Sequence, residues 1–206
     1  MTVELIFTER RADMTPFRAA NFERLRGQLA EASGHHVNVS HYEDVARERL
    51  TQAAAVVLSG STTAWALRDQ RELDHLGEAV LAADCPVLGI CAGMQLLATF
   101  AGGTIGPYGS SEHGFLPIQV HDGEGLLRGL PSEAVVFQDH DHELTALPDG
   151  FRVLASSPEC AVQAIANPER RWWGTQFHPE EFQPEHPAGE QVLRTFFELA
   201  RQSSPE

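Results

Sequence analysis

A cysteine at the end of a short apolar run is the first residue that could carry chemistry. Cys91 directly follows the run Val87 to Ile90, Gly89 and Gly93 flank it, and an apolar helical segment begins at once. A tight turn from strand to helix can hold a nucleophile exposed at the carboxyl end of a sheet. The free N–H groups of the helix start favour a thiolate there. A structural cysteine after a core strand has the same local pattern, so both interpretations stay open.

A histidine and a glutamate further along the chain could activate such a thiol. The run Trp172 to Phe177 is followed by His178, Pro179 and Glu180. Residues i and i+2 of an extended segment share a face, so Glu180 can hold one nitrogen of His178 while the other meets a thiol. Nucleophile, base and orienting group together make a catalytic triad. Taken alone, this segment favours a surface His and Glu just past a strand end over a catalytic pair.

A glycine turn could stabilise the negative charge that develops when a thiolate attacks an amide. The apolar run that ends at Leu58 is followed by Ser59, Gly60 and Ser61. Backbone N–H groups here, together with that of Ala92, could form an oxyanion hole. A simple strand-to-loop glycine has the same spacing, so sequence alone does not separate the two interpretations.

The elements that must position these residues alternate between strand and helix. Runs typical of buried strands cover Val3 to Phe7, His36 to Ser40, Ala53 to Leu58 and Pro86 to Ile90. Helical spacing of apolar residues predicts helices over Met14 to Ala30, around Leu73 to Val80, and over Met94 to Ala101. This alternation predicts crossover connections and a parallel sheet with helices on both faces.

From about Phe115 the pattern changes to short strands with little helix between them. We predict strands at Leu116–Val120, Ala134–Phe137, Phe151–Ala155, Ala161–Ile165 and Trp172–Phe177. They are expected to extend the sheet with antiparallel strands. A final helix then closes the domain, with one apolar face made of Leu193, Phe196, Phe197 and Ala200.

Three segments, taken in order, resemble the class I (triad) glutamine amidotransferase family. They are Leu58 to Ser61, Gly89 to Gln95, and Gln176 to Glu180. The resemblance covers nearly the whole chain. Within this family, the chain most resembles the amidotransferase domain of GMP synthases. This resemblance is carried by Ser111 to Gly114, Asp139 to Asp141 and Cys160 to Ile165. The resemblance implies one α/β domain over residues 1–206: a flavodoxin-like, doubly wound, mainly parallel sheet with helices on both faces and added antiparallel strands in the C-terminal half.

The resemblance also implies a reaction. Cys91 attacks the side-chain amide of L-glutamine, and His178 takes the thiol proton and passes it to the departing ammonia. Glu180 orients His178, and water releases glutamate from a γ-glutamyl thioester. Family members pass the ammonia to a synthetase site on another subunit or domain. A separate synthetase is therefore the expected acceptor, and no cofactor is expected.

The remaining site residues are assigned by the same resemblance. The N–H groups of Ser61 and Ala92 match the oxyanion hole. Gly60, Gln95 and His140 match positions that seat the glutamine. Ser61 lies where the family usually has a second glycine, and positive φ is sterically less favourable for serine than for glycine. One hypothesis is therefore a hole that forms only when a partner docks. The loop Thr8 to Pro16, longer and more charged than the usual start, suggests a specialised acceptor-facing edge.

One polar segment has the composition of a metal site. Gln138 to Glu143 reads Gln-Asp-His-Asp-His-Glu, and its His-x-His pattern could bind a divalent cation. We interpret the segment instead as a polar turn between strands, with His140 beside the glutamine pocket. His178 and His186 lack the helix that a His-Glu-x-x-His zinc site requires. No metal ligand is predicted.

Composition argues against several other classes. All 15 basic residues are arginine, which excludes a Schiff-base lysine and a P-loop lysine. The formal net charge of -14 disfavours nucleic acid and anionic membrane surfaces as partners. Three cysteines without paired spacing are typical of a reduced, cytoplasmic protein. Neither a signal peptide nor an apolar run of the roughly 20 residues that cross a bilayer is found.

Three functions stay under consideration. The first is an ammonia-supplying glutaminase that works with a separate acceptor enzyme. The second is a γ-glutamyl amide or peptide hydrolase on the same scaffold, which should accept bulkier amides than glutamine. The third is a non-catalytic regulatory subunit. The presence of Cys91, His178 and Glu180 argues against the third, and Ser61 is the feature in its favour.

Overall fold

The computed structural model describes residues 2–202, and of residues 108–110 the backbone only. The strands are β1 (Thr2–Phe7), β2 (His36–His41), β3 (Ala55–Leu58), β4 (Val87–Ile90), β5 (Thr104–Val120), β6 (Glu133–Ala146), β7 (Arg152–Ser156), β8 (Ala164–Asn167) and β9 (Trp172–Thr175). The helices are α1 (Pro16–Ser33), α2 (Arg47–Thr51), α3 (Gln70–Leu81), α4 (Ala92–Phe100) and α5 (Ala188–Gln202). Among residues 2–202, no helix is long and apolar enough to cross a bilayer.

The described strands form one mixed sheet in the order β2-β1-β3-β4-β9-β8-β7-β5-β6. The strands from β2 to β9 in this order run parallel. The strands β8, β7, β5 and β6 continue the sheet with antiparallel pairing. The predicted fold class, doubly wound with antiparallel strands added in the C-terminal half, is confirmed.

Neighbouring residues of each parallel strand pack on opposite faces of the sheet. Leu5 and Leu88 join a core that contains α1 and α5, whereas Ile6 and Val87 join a core that contains α2, α3 and α4. Strands buried on both faces need continuous apolar runs. This requirement explains why the sequence between residues 53 and 58 shows no polar alternation.

The start of α1 follows from local sequence. Thr15 caps the helix by accepting a 3.2 Å hydrogen bond from the Arg18 N–H, and Pro16 occupies the first helical position. Gly34 ends the helix at φ 70°, where a glycine is unstrained. This cap places Arg18 in the first turn, beside the loop that leaves β1.

Two strands are longer than the sequence pattern predicts, and one interpretation is wrong. β5 begins at Thr104, before the predicted start at Leu116, and β6 continues to Ala146. Gln138 to Glu143 is therefore part of β6, not a turn. Its polar residues alternate in and out, because Gln138 and His140 are buried while Asp139 and Asp141 are exposed. The inward residue His140 finds a polar partner across the sheet, so a strand tolerates it.

Candidate active site

Cys91 lies in a backbone turn between β4 and α4. Its φ of 50° and ψ of -111° are unusual for a residue other than glycine. The turn is compressed, since a Cβ added at Gly93 would lie 2.3 Å from the Leu58 carbonyl oxygen. A Cβ at Gly89 would lie 2.5 Å from the Gly93 carbonyl oxygen. Both glycines are needed to bring α4 this close to β3 and β4.

His178 and Glu180 meet Cys91 at the carboxyl ends of neighbouring strands. The His178 Nδ1 lies 2.9 Å from a Glu180 carboxylate oxygen, so the predicted His–Glu pair is formed. The Nε2 atom is buried and has no hydrogen-bond acceptor within residues 2–202. Gly60 touches both partners: a Cβ there would lie 2.7 Å from His178 Cε1 and 3.6 Å from Cys91 Cβ. The fold thus brings the two side chains against one glycine.

The charged form of His178 is favoured by its neighbours. Burial alone lowers the pKa of His178, but the negative charges of Glu180 and of the Cys91 sulfur outweigh burial and raise it well above 6.5. An imidazolium held in this way stabilises a thiolate beside it. The arrangement can therefore supply a nucleophile and a proton donor together.

Gln176 is a site residue to which the sequence patterns assigned no role. Its amide nitrogen lies 3.7 Å from the Cys91 sulfur, and its amide oxygen accepts a 2.9 Å hydrogen bond from Gln95 Nε2. The same Gln95 nitrogen donates to the His142 carbonyl oxygen at 2.8 Å. The available signal was the position of Gln176 at the start of the segment that resembles the family.

Ser61 and Ala92, the predicted oxyanion-hole residues, line one cavity of about 420 Å³ with Cys91 and Gln95. Ala92 is the first residue of α4, where N–H groups lack intrahelical acceptors. Within residues 2–202, Cys91 and Arg171 are the only residues other than glycine with positive φ. Ser61 therefore does not adopt the strained conformation that its replacement of a glycine raised as a concern.

His140 lines the same cavity, and its imidazole contacts the buried carboxylate of Glu112. Its Nε2 lies 3.1 Å from a Glu112 oxygen. Ser157 and Gln163 donate to the same carboxylate at 2.9 and 2.8 Å. Burial holds the pKa of His140 below 6.5, although Glu112 favours the charged ring. Glu112, which is buried, thus orients His140; the segment Ser111 to Gly114 was noted in the sequence, but this role was not predicted.

Glu112, His140 and Cys160 offer ligand atoms within 4.8 Å of one another. The donor set does not suit a metal ion. Burial raises the pKa of the Cys160 thiol to about 12, and this thiol lies 3.5 Å from the Val162 carbonyl oxygen. Both Glu112 oxygens already accept hydrogen bonds from neutral side chains. The cluster therefore acts as a buried polar network.

A second cavity has His178 in its lining. It also measures about 420 Å³, and its lining includes Gly60, Glu180, Phe17 and Arg18. His113 and Asp139 line both cavities. The Cys91–His178 pair is thus reached from two sides, one beside the sulfur and one beside the imidazole.

Comparison with known proteins assigns the chain to one class. Residues 19–200 match the model of the class I glutamine amidotransferase family, and the chain belongs to that family. The predicted resemblance is confirmed.

The curated relatives narrow the class to the GMP synthase type. A glutamine-hydrolyzing GMP synthase of Mycolicibacterium paratuberculosis is 37% identical over 180 residues, which cover 87% of this chain and 33% of that protein. The corresponding protein of Streptomyces avermitilis is 34% identical over 181 residues, covering 87% of this chain and 34% of that one. The chain therefore spans about one third of the length of these relatives.

Among solved structures, a putative GMP synthase subunit from Thermoplasma acidophilum superposes with a TM-score of 0.84. It is 26% identical in sequence, and the match covers 98% of this chain and 94% of that one. The similarity thus extends over the whole described fold, including both the parallel and the antiparallel parts of the sheet.

Proposed function

We propose that this protein hydrolyses the side-chain amide of L-glutamine through Cys91 and supplies ammonia to a separate synthetase. One observation carries the proposal: Cys91, on its strained turn, and the His178–Glu180 pair meet at Gly60. Membership of the class I glutamine amidotransferase family supports it.

The reaction begins with the Cys91 thiolate, which adds to the amide carbon of glutamine. The carbonyl oxygen becomes an oxyanion and accepts hydrogen bonds from the N–H groups of Ser61 and Ala92. The intermediate collapses as the C–N bond breaks, and His178 Nε2 gives its proton to the leaving nitrogen to form ammonia. A γ-glutamyl thioester remains. His178 then takes a proton from water, whose oxygen attacks the thioester carbon, and glutamate leaves while the thiolate is restored.

The cavity beside Cys91 is the proposed glutamine site. Gln95 and His140 line this cavity and seat the substrate there. Gly60, the third predicted substrate-binding residue, lines the neighbouring cavity beside His178 and contributes through its contact with Cys91 and His178. Gln95 Nε2 is committed to Gln176 and to the His142 carbonyl oxygen, so its contribution is to shape the cavity. His140 forms a wall that Glu112 supports.

A synthetase is the proposed partner, and the names of the relatives support a GMP synthase-type acceptor. Nucleic acid and membranes are not proposed as partners, because the net charge of -14 opposes polyanions. The cytoplasm is the proposed compartment. The three free cysteines support a reducing environment.

A γ-glutamyl amide or peptide hydrolase is the second candidate, and one observation favours it. A cavity of about 420 Å³ is lined by His178, the residue that gives its proton to the leaving nitrogen. That cavity has room for an amine larger than ammonia. A chain of this kind would release a substituted amine and glutamate without an acceptor.

The test is glutamate and ammonia release from L-glutamine, with γ-glutamyl methylamide and γ-glutamyl anilide as larger substrates. We expect equimolar glutamate and ammonia from glutamine, and loss of both in Cys91→Ala. Cys85→Ala is the matched control, because Cys85 lies in the core on one face of the sheet. Faster release from the larger amides would favour the second candidate. A wild-type chain with an alkylatable Cys91 and no release from any amide would contradict both enzymes and support a regulatory subunit.

A further inference from the structure

Ser61 is flanked by two peptide groups, and buried polar side chains hold each of them. The Gly60 carbonyl oxygen belongs to the same peptide group as the Ser61 N–H. It accepts a hydrogen bond from Ser59 Oγ at 2.9 Å, and Thr8 Oγ1 lies 3.2 Å away from it. A peptide is planar and trans, so its C=O and N–H point in opposite directions. Holding the Gly60 carbonyl therefore directs the Ser61 N–H away from Ser59 and Thr8.

The direction of the Ser59 hydroxyl proton follows from a hydrogen-bond inventory. The Thr8 N–H donates to Ser59 Oγ at 3.0 Å, so the single hydroxyl proton of Ser59 is left for the Gly60 carbonyl. The Thr8 hydroxyl donates to the Ser59 carbonyl oxygen at the shorter distance of 2.8 Å. Ser59 and Thr8 are fully buried, so water does not compete for these groups.

Glu9 holds the peptide group on the other side of Ser61. One carboxylate oxygen accepts the Thr62 N–H at 2.8 Å, and the other accepts the Thr62 hydroxyl at 2.6 Å. Arg18 donates to the same carboxylate at 2.8 Å, and Glu9 is fully buried. The Thr62 N–H belongs to the Ser61–Thr62 peptide. Both torsions of Ser61 are therefore constrained.

The Ser61 N–H itself has no acceptor within residues 2–202, and Ser61 lines the cavity that contains Cys91 and Ala92. The Ser61 side chain turns back to accept the Thr63 N–H at 3.1 Å. A serine is thus accommodated without the positive φ that a glycine would permit. Hydrogen bonds thus hold the backbone on both sides of Ser61.

We infer that Ser59 and Glu9 are positioning residues that aim the Ser61 N–H at the oxyanion, so that the hole is built before any partner docks. The inference rests on the proposed glutamine hydrolysis. Neither side chain touches the substrate. Each acts through a peptide group of Ser61. Through Glu9, the charged loop Thr8 to Pro16 would therefore act inside the catalytic site, in addition to any role at the acceptor-facing edge.

The experiment compares Ser59→Ala and Glu9→Gln with two matched controls, Thr195→Ala and Glu4→Gln. Thr195 is a fully buried hydroxyl in α5, and Glu4 is a buried carboxylate of β1 bonded to Asn38. Both controls lie outside the lining of the Cys91 cavity. The measurements are kcat and KM for glutamine and the rate of Cys91 alkylation by iodoacetamide. Alkylation forms no oxyanion, so a fault confined to the hole does not slow it.

We expect kcat to fall about 10- to 100-fold in each variant, somewhat less than the loss of an oxyanion donor itself. KM should change by less than about threefold, since the hole acts in the transition state. Alkylation rates and both controls should stay near wild type. A kcat within about twofold of the controls overturns the inference. So does an alkylation rate that falls in parallel with kcat, because the fault would then lie at Cys91.

Two further measurements keep the test decisive. L-Glutamate γ-semialdehyde adds the Cys91 S–H across its C=O to give a tetrahedral hemithioacetal, whose oxygen occupies the hole without turnover. Protection of Cys91 from iodoacetamide by this aldehyde should weaken in both variants. If wild type is protected but releases no glutamate, the proposed function fails while the positioning role is still measured; equal protection of variant and wild type overturns that role. Should Ser59→Ala not fold, Thr8→Val removes the hydroxyl that donates to the Ser59 carbonyl oxygen and lies 3.2 Å from the Gly60 carbonyl oxygen, and the same split between kcat and alkylation is expected.

Discussion

Gly60 shows how a single residue limits the site. Its backbone lies against both the imidazole of His178 and the Cβ of Cys91. The absence of a side chain lets these two residues approach each other. Glycine is required here by close contact and not by backbone conformation, because its φ is not among the positive values of the described glycines.

Gly60→Ala should therefore impair catalysis more than folding. The new Cβ would lie 2.7 Å from His178 Cε1, so the imidazole must move away from Cys91. We expect a fall in kcat of about 100-fold, because misplaced catalytic groups lose proximity and orientation. The measurement is steady-state glutamine hydrolysis combined with thermal unfolding.

Gly27→Ala is the control for this substitution. It lies in α1 with no atom within 4 Å of the added Cβ, and alanine should stabilise the helix by up to about 1 kcal/mol. A Gly60→Ala protein with wild-type kcat would show that His178 need not stay beside Cys91, and would contradict the proposed triad.

At the scale of elements, the site depends on loops that leave adjacent parallel strands. β1 and β3 are neighbours in the sheet, and their carboxyl ends carry the Glu9 loop and the Ser61 loop. This is the point where the strand order reverses, the usual ligand crevice of doubly wound sheets. Buried hydrogen bonds join the two loops, so the proposed oxyanion segment is tied to the loop that leaves β1.

The hydrogen bonds that Glu9 accepts from Thr62 and Arg18 should make the free energy of unfolding depend on pH. Burial raises the pKa of Glu9, but the Thr62 N–H and hydroxyl and the Arg18 guanidinium outweigh burial and lower it below 4.5. A depressed folded-state pKa stabilises the protein above the unfolded value and loses that contribution as pH falls through the folded value. The difference in unfolding free energy between wild type and Glu9→Gln should be constant above about pH 6 and should shrink below about pH 4.5.

Urea unfolding of both proteins between about pH 3.5 and 7 measures this difference. The comparison cancels the acid sensitivity that the two proteins share. A difference that widens on acidification would mean that Glu9 is not held as a carboxylate by Thr62 and Arg18.

At the scale of the whole molecule, the two faces of the sheet form separate cores that share the same strands. Phe196 of α5 is buried in one core and Leu97 of α4 in the other. Since neighbouring residues of one strand serve both cores, neither core can melt while the strand stays intact. A single domain over residues 1–206 stays a prediction, and residues 1 and 203–206 lie outside the described residues.

Phe196→Ala and Leu97→Ala should each shift one common unfolding transition. We expect losses of about 3–5 and about 2–5 kcal/mol respectively, the cost of emptying a packed core. Phe17→Ala is the control, because Phe17 is 72% exposed and its loss should cost less than about 0.5 kcal/mol. Calorimetry and far-UV circular dichroism should give coincident transitions. Two separable transitions, with each substitution moving only one, would contradict the single domain.

The sequence by itself was sufficient for features that local pattern encodes. The Cys91 turn was predicted because a strand, a glycine-flanked residue and a helix follow one another without interruption. The strand cores were predicted because burial on two faces demands apolar runs, and His178 and Glu180 were paired because extended residues two apart share a face. Their expected meeting with Cys91 came from the family resemblance, since no local pattern joins such distant segments.

Only the tertiary structure decided which polar residues are buried and what they hold. The acidic Gln138 to Glu143 segment looked like a turn, but pairing with β5 made it a strand whose inward residue, His140, meets Glu112. Glu9 belongs to the charged loop Thr8 to Pro16, for which we expected a role at an acceptor-facing edge. In the structure it is buried and accepts the N–H of Thr62, which lies 53 residues further along the chain. A buried charge is stable only where partners converge on it. That convergence depends on which strands lie side by side, and the strand order, not local sequence, determines it.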